Sequence, residues 1–334
     1  MNKKILVKDQ WTALFLRKSV LFSLFSIIFL FIFAVSFLIT APQVVNLIDS
    51  TLVLAQNEAW KNTTGVKPAT EVAGVQRVPQ VNIVNNQIIP PVIQSKAAIA
   101  IDAKSGKVLF EKNSEMQLSP ASTTKIMTAL VAKSHFRAGD VLRVGKDALV
   151  GGSSMGLVLG EEMSFRSLLY GMMLNSGNDA AFTIATNYPG GLNAFIKKMN
   201  EKVLELELHN THFQNPAGFD DPNHYTSAFD LAHIARVAIE DPQISRIVST
   251  KDTSVMSWDK VHKHPLSNLN KLLGEDGVIG IKTGTTDLAG ESLVALVERN
   301  DQKVITVVLN SPDRFYETKQ LIDWVYMNYK WTIN

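Results

Sequence analysis

The pattern of hydrophobic and polar positions begins with a long apolar run. Residues 19–41 are 23 positions without a charged side chain, rich in Phe, Leu, Ile and Val. A helix of this length extends about 34 Å, and the hydrocarbon core of a bilayer is roughly 30 Å thick. The run therefore predicts a transmembrane helix at residues 19–41.

The charges on either side of this run predict its orientation in the membrane. Residues 1–18 contain five basic side chains against Asp9, whereas residues 42–60 contain Asp49 and Glu58 and no basic side chain. Under the positive-inside rule, residues 1–18 are cytoplasmic and everything after residue 41 lies outside. A cleaved signal peptide is the alternative. The length of the run, with Pro42 directly after it, favours an uncleaved single-pass anchor instead.

Residues 42–95 have the composition of an extracytoplasmic linker. Asn, Gln and Thr are frequent there, and five prolines interrupt any regular pattern: Pro42, Pro68, Pro79, Pro90 and Pro91. Partial alternation at residues 81–89 leaves a strand open as a second interpretation.

Regular periodicity begins at residue 96 and continues to residue 334. Strand patterns with short links lie at residues 97–102, 108–112, 278–283, 292–298 and 304–310. Helical patterns begin at Ser122 and Ser164 and cover residues 179–186, 192–206, 227–239 and 316–329. We predict an α/β domain of the α+β type, with a five-stranded antiparallel sheet, helices on both faces and a helical subdomain between the two groups of strands.

The composition of the chain excludes several kinds of functional site. The chain has 334 residues, 46% hydrophobic and 19% charged, with a net charge of +2, which argues against a dedicated nucleic-acid binder. It contains no cysteine, so disulfides, thiolate metal sites and cysteine nucleophiles are excluded. The spacing His262-x-His264 invites a zinc interpretation, but the sequence suggests no third ligand nearby, so we expect no metal.

Three short motifs could form a catalytic site: S-x-x-K at residues 122–125, S-G-N at 176–178 and K-T-G at 282–284. Each is weak alone, since Ser122 could be an ordinary helix N-cap, and Ser257 and Lys260 form a second S-x-x-K. Only Ser122 opens a helical pattern, which puts its lysine on the same face. Ser257 lies in a strand-like stretch.

The three motifs in this order resemble those of class A β-lactamases and penicillin-binding proteins. Further blocks make residues 97–330 similar to the low-molecular-mass penicillin-binding proteins, the serine-type D-alanyl-D-alanine carboxypeptidase family. These blocks are PASTTKIMTAL at 120–130, GSSMGL at 152–157, NSGNDAA at 175–181, FQNPAG at 213–218, NKLL at 270–273 and GIKTGTTDLAG at 280–290.

The resemblance implies a site made of two groups of residues. The catalytic group is Ser122, Lys125, Ser176 and Asn178. The substrate-binding group is Lys282, Thr283, Gly284, Thr285 and Arg314.

It also implies a role for each group. Ser122 attacks the substrate carbonyl, Lys125 in its neutral form is the base, Ser176 relays a proton and Asn178 orients the lysine and substrate. Lys282 and Thr283 bind the terminal carboxylate, helped by Arg314. Gly284 leaves room for the ligand, and the backbone N–H groups of Ser122 and Thr285 form the oxyanion hole.

The function implied is removal of the terminal D-alanine from peptidoglycan stem peptides at a bacterial cell membrane, without a cofactor and with β-lactams as covalent inhibitors. An endopeptidase that cuts between D-alanine and a diamino acid is the first alternative, because fold and motifs do not fix the substrate. A class A β-lactamase is less favoured, since Gln214 and Asn215 occur where its glutamate is expected. A non-catalytic penicillin-sensing module would not need a nucleophile with its base.

The sequence departs from the family in one respect. Many members carry a second, β-rich domain and a C-terminal amphipathic anchor, whereas this sequence stops at Asn334 after the last helical pattern. We therefore expect the N-terminal segment to be the tether.

Overall fold

The computed structural model describes residues 80–83 and 89–332. The basic segment, the apolar run at 19–41 and most of the predicted linker lie outside these residues. Within the described ranges, no helix is both long enough and apolar enough to cross a bilayer. All described residues belong to one compact unit, Gln76–Asn334.

The centre of this unit is a five-stranded antiparallel sheet with the spatial order β3-β2-β10-β9-β8. Its strands are β2 (Ala97–Asp102), β3 (Val108–Lys112), β8 (Val278–Thr286), β9 (Gly290–Arg299) and β10 (Gln302–Ser311). The predicted sheet is confirmed. Short turns join β8, β9 and β10 as successive neighbours, and β10 closes against β2, which leaves β8 at one edge.

Both faces of the sheet are covered, as β2 illustrates. Ala97, Ile99 and Ile101 belong to one hydrophobic cluster, whereas Ala98 and Ala100 belong to the other, because successive side chains of a strand point to opposite faces. Every residue of β2 is buried.

The helices follow the predicted periodicity closely. They are α1 (Lys125–Lys133), α2 (Phe165–Met173), α3 (Asn178–Thr186), α4 (Gly191–Glu205), α5 (Ala228–Ala238), α6 (Pro242–Val248) and α7 (Arg314–Asn328). Ser164 and Ser227 cap α2 and α5 through their hydroxyl groups. Helix α6 was not predicted, because its seven residues make too few turns for a periodic signal.

Three two-stranded pairs surround the main sheet. They are β1 (Gln80–Ile83) with β11 (Tyr329–Thr332), β4 (Val141–Arg143) with β5 (Glu162–Ser164), and β6 (Asp252–Met256) with β7 (Lys263–Ser267). The strand left open near residue 81 is therefore present as β1. The helical pattern predicted to reach residue 329 ends at residue 328, where the backbone turns extended and pairs with β1.

Candidate active site

The candidate nucleophile Ser122 lies on a short 3-10 turn, Ala121–Thr124, that leads directly into α1. Pro120 is the N-cap of this turn, and no side chain caps it. The N-cap interpretation of Ser122 is therefore wrong. Ala121 has a φ of +48°, a left-handed conformation that is unfavourable for a residue with a Cβ. Tertiary contacts must hold the chain in this conformation.

Two glycines supply those contacts by packing on the peptide between Ala121 and Ser122. A Cβ at Gly218 would lie 1.7 Å from the Ala121 carbonyl oxygen, and one at Gly284 would lie 3.2 Å from the Ser122 nitrogen. Gly218 also has a φ of +92°. The nucleophile turn thus lies between the loop at residues 213–218 and the edge strand β8. The turn itself makes the close approach at Gly284, where the family resemblance implied room for the ligand.

The lysine of the motif is completely buried, and its amine contacts three oxygen atoms. Lys125 Nζ lies 2.8 Å from Ser122 Oγ, 2.8 Å from Asn178 Oδ1 and 2.7 Å from the Ala217 carbonyl oxygen. The amide and carbonyl oxygens can only accept hydrogen bonds. A neutral amine has two hydrogens and one lone pair. When those hydrogens go to Asn178 and Ala217, the lone pair faces the Ser122 hydroxyl.

Electrostatics favour this neutral amine. Burial is the largest cause that lowers the pKa of Lys125 well below its ordinary value, and the positive charge of Lys282 lowers the pKa further. The Asp179 carboxylate opposes both effects.

The amide of Asn178 is fixed at both ends. Its Oδ1 accepts from Lys125, and its Nδ2 donates to the Gly151 carbonyl oxygen at 2.8 Å. The next residue, Asp179, accepts hydrogen bonds from the Ser154 hydroxyl and from the backbone N–H groups of residues 155–157. The start of α3 is therefore bonded both to the lysine, through Asn178, and to the loop at residues 151–157, through Asn178 and Asp179.

The serine of the S-G-N motif is close to Asn178 in sequence but is not bonded to the group formed by Ser122, Lys125 and Asn178. Ser176 has a φ of +60° and is 3% exposed, and its hydroxyl has no hydrogen-bond partner in the described part of the chain. The structure thus joins Ser122, Lys125 and Asn178 in one hydrogen-bonded unit and leaves the Ser176 hydroxyl outside it.

The K-T-G residues lie on β8. Lys282 and Thr283 are both buried, and Lys282 Nζ donates to the Thr283 carbonyl oxygen at 3.0 Å. Burial, followed by the charge of Arg314, lowers the pKa of Lys282 to about 7. Arg314 begins α7 and donates to the Gly284 carbonyl oxygen at 2.8 Å and to the Thr285 hydroxyl. Arg314 is therefore a helix residue bonded to the K-T-G strand rather than an exposed loop residue.

The second S-x-x-K forms no such unit. Ser257 accepts from the His262 N–H and donates to Asp259 in the turn between β6 and β7, and Lys260 is exposed. His264 is also bonded elsewhere, to Glu161 at 2.6 Å and to the Met155 carbonyl oxygen at 3.1 Å. Among the described residues, no group of three His, Cys, Asp or Glu side chains could hold a metal ion.

Sequence reasoning missed the loop at residues 213–218 as part of the site. Its shape comes from Asn215, whose Oδ1 accepts from the N–H groups of residues 217, 218 and 219. Thr128 of α1 donates to the Pro216 carbonyl oxygen at 2.7 Å, next to the contact between Lys125 and Ala217. The FQNPAG block was the available signal, but a carbonyl ligand cannot be recognised from residue type.

The geometry of this site is by itself enough to define a class of protein. The site has three parts: a serine and a buried lysine on a helix, an S-x-N asparagine bonded to that lysine, and a K-T-G edge strand beside the serine. Together they are characteristic of the penicillin-recognising serine acyl-enzyme class. The family model described as D-alanyl-D-alanine carboxypeptidase, peptidase S11, matches residues 84–313, and the chain belongs to this family. The predicted family resemblance is confirmed.

Individual relatives agree with this assignment. The D-alanyl-D-alanine carboxypeptidase DacF of Bacillus subtilis is 36% identical over 248 residues, which are 71% of this chain and 63% of that protein. DacC of Escherichia coli is 36% identical over 252 residues, which are 70% of this chain and 62% of that protein. The chain thus spans less than two thirds of the length of these curated relatives.

Among solved structures, the DD-transpeptidase of Streptomyces K15 superimposes with a TM-score of 0.69 at 30% identity. The match covers 72% of this chain and 100% of that one.

Proposed function

We propose that this protein is a serine-type D-alanyl-D-alanine carboxypeptidase that removes the terminal D-alanine from peptidoglycan stem peptides. The observation that carries the proposal is the Lys125 amine, buried and bonded to Ser122 and to two oxygens that can only accept. A serine alcohol needs a base in order to attack a carbonyl, and this geometry makes the lysine that base.

Acylation then proceeds as follows. The Ser122 proton moves to Lys125 Nζ while Oγ bonds to the carbonyl carbon of the penultimate D-alanine. The bond from that carbon to the terminal D-alanine nitrogen breaks, and a proton returns to the leaving amine by way of the Ser176 hydroxyl. Water then hydrolyses the ester and regenerates Ser122. The Ser176 hydroxyl supports the relay, because it has no hydrogen-bond partner among the described residues and so gives up no existing bond when it takes part.

The substrate carboxylate binds Lys282 and Thr283, with Arg314 as a second cation bonded to the end of the same motif. An edge strand presents backbone groups on its unpaired side, and β8 is such a strand and packs against the nucleophile turn at Gly284. The N–H groups of Ser122 and Thr285 form the oxyanion hole there.

Two measurements test the proposal. Labelled penicillin should acylate the full-length protein, and a defined pentapeptide ending in D-alanyl-D-alanine should lose one D-alanine, read by mass spectrometry. Ser122→Ala should abolish both, whereas the control Ser257→Ala in the other S-x-x-K should keep both. Labelling that survives Ser122→Ala would exclude Ser122 as the nucleophile.

A second candidate is transfer of the acyl group to an amine instead of water. The match to a DD-transpeptidase structure favours this candidate, because it covers the whole of that chain. The acylation chemistry is the same for both reactions. Adding an amino-acid acceptor to the pentapeptide reaction distinguishes the two, because a transpeptidase gives the acceptor-linked product and a carboxypeptidase the free tetrapeptide. A cross-linked dimer as substrate tests for endopeptidase activity in the same way.

The catalytic unit acts outside the cell membrane, tethered by the uncleaved helix at residues 19–41. The length of this apolar run and the basic residues before it support the tether. Mass spectrometry of the membrane-bound protein should recover peptides from residues 1–18. A mature N-terminus near Pro42 or Gln56 would show cleavage and contradict the tether.

A further inference from the structure

A histidine that the mechanism does not use connects two parts of the active site. His224 is 1% exposed, and its ring lies beside the nucleophile motif. Its Nε2 is 2.8 Å from the hydroxyl of Thr124, the residue directly before Lys125. Its Nδ1 is 3.0 Å from the backbone nitrogen of Gln214.

These contacts fix the tautomer of the ring. A backbone N–H can only donate, so Nδ1 must accept from Gln214 and cannot carry a hydrogen. The hydrogen of the neutral ring is then on Nε2, from which it is donated to the Thr124 hydroxyl oxygen. Phe213 packs edge-to-face on the ring at 5.5 Å between centroids and limits its rotation.

The ring is also held neutral. Burial lowers the pKa of His224 to about 4. The surrounding charged groups act in both directions: Asp221 and Asp220 favour the protonated ring, whereas His212 and Lys125 oppose it. Protonation would place a hydrogen on Nδ1, against the Gln214 N–H.

We propose that His224 is a positioning residue of the active site: its Nε2–H bond to Thr124 fixes the loop at residues 213–218 relative to Ser122 and Lys125. The inference rests on the proposed function. This loop carries the Ala217 carbonyl that takes one hydrogen of the Lys125 amine. If the loop shifts, the amine rotates, and its lone pair no longer faces Ser122 Oγ. Displacements of about 1 Å can cost on the order of a hundredfold in rate.

The test measures the acylation rate constant of full-length variants with a labelled penicillin. His224→Gln retains an amide N–H that can reach Thr124, whereas His224→Phe retains the ring without either nitrogen. We expect His224→Gln to stay within about threefold of the parent, and His224→Phe to fall by a factor of roughly 10 to 100. The matched control is His233→Phe in α5, which should acylate at the parent rate. Parent-like acylation by folded His224→Phe, or an equal loss in His224→Gln, would overturn the proposal.

The partner residue gives a second pair of variants in case His224→Phe does not fold. Thr124→Ser keeps the hydroxyl acceptor, and Thr124→Val removes it at similar volume. We expect the serine variant to match the parent and the valine variant to lose acylation as His224→Phe does. Equal rates for the two variants would contradict the proposal.

A spectroscopic measurement is independent of activity, and it therefore separates this proposal from the proposed function. In ¹⁵N-histidine-labelled protein, with seven histidines in all, the signal lost in His224→Gln identifies this ring. It should show a protonated Nε2 and an unprotonated Nδ1 from pH 5 to 8. The opposite tautomer would refute the hydrogen-bond assignment even if penicillin acylates the parent. A parent that fails to react with penicillin, with the tautomer as expected, would refute the proposed function only.

Discussion

Two buried lysines with opposite requirements dominate the site at the scale of single residues. In the proposed mechanism, Lys125 is neutral in order to accept a proton from Ser122, whereas Lys282 is charged in order to bind a carboxylate. Both are almost fully buried, and the charge of Lys282 lowers the pKa of Lys125. A change of either residue therefore tests a different step.

Lys125→Arg should abolish the base while keeping a positive charge. A guanidinium cannot lose its proton at a usable pH, so acylation by penicillin and by peptide should fall by about three orders of magnitude or more. Stopped-flow measurement of acylation rate constants checks this result. Lys260→Arg in the second S-x-x-K is the control and should be neutral. If Lys125→Arg acylates nearly as fast as the parent, another group is the base.

Lys282 should make ligand affinity depend on pH. Because its pKa in the free protein is about 7, its charge is complete below that pH and is lost as the pH rises through it. The dissociation constant of the pentapeptide for the inactive Ser122→Ala variant should therefore rise above pH 7, by up to about tenfold per pH unit, until the higher pKa in the complex is passed. Calorimetry from pH 6 to 9 measures this rise.

Lys282→Arg is the control for that series. Its cation does not titrate in this range, so part of the affinity should remain, and the rise near pH 7 should disappear. The same pH dependence in both proteins would assign it to a group other than Lys282.

At the scale of elements, the site is the junction of the nucleophile turn, the loop at residues 213–218 and the edge strand β8. Gly218 and Gly284 permit this junction, because a side chain at either position would meet the peptide between Ala121 and Ser122. The left-handed Ala121 is held by the same contacts.

Gly218→Ala should destabilise the fold through both backbone strain and collision. Gly274→Ala is a matched control, since Gly274 has a similar φ of +87° and no atom within 4 Å of an added Cβ. We expect the control to lose about 1 kcal/mol of unfolding free energy and Gly218→Ala to lose about 3 kcal/mol or more. Denaturant titration of both variants measures the difference. Equal losses of unfolding free energy would mean that the nucleophile turn moves away from the added methyl group without destabilising the fold.

At the scale of the whole molecule, the buried neutral His224 should make stability depend on pH. Its pKa is 6.5 in the unfolded chain and about 4 in the folded protein, so the unfolded state binds more protons between these values. The stability is complete above pH 6.5 and decreases as the pH falls toward 4. The difference corresponds to about 3 kcal/mol at most.

Comparison of the parent with His224→Gln isolates this contribution, because other groups titrate equally in both. Denaturant unfolding at pH 7, 5.5 and 4 should show a steeper loss in the parent. Parallel loss in the two proteins would indicate that the histidine is protonated in the folded state as readily as in the unfolded chain.

Much of the fold could be predicted because it depends on local patterns. The strand patterns with short links gave the five-stranded sheet, and the helical periods gave six of the seven helices described here within a few residues. The pair β4–β5 and the strand β11 were not predicted, because three or four residues carry too little alternation. The seven-residue helix α6 was missed for the same reason.

The sequence by itself determined the family, the sheet and the pairing of Ser122 with Lys125, since a serine and a lysine three positions apart meet on one helical turn. Only the tertiary structure decided what completes that pair. Asn178 and Ala217 come from positions 53 and 92 residues beyond Lys125, and a backbone carbonyl has no residue type. The pKa of the lysine was likewise beyond the sequence, because burial and the approach of Lys282 exist only after the edge strand, the loop and the helix have packed together.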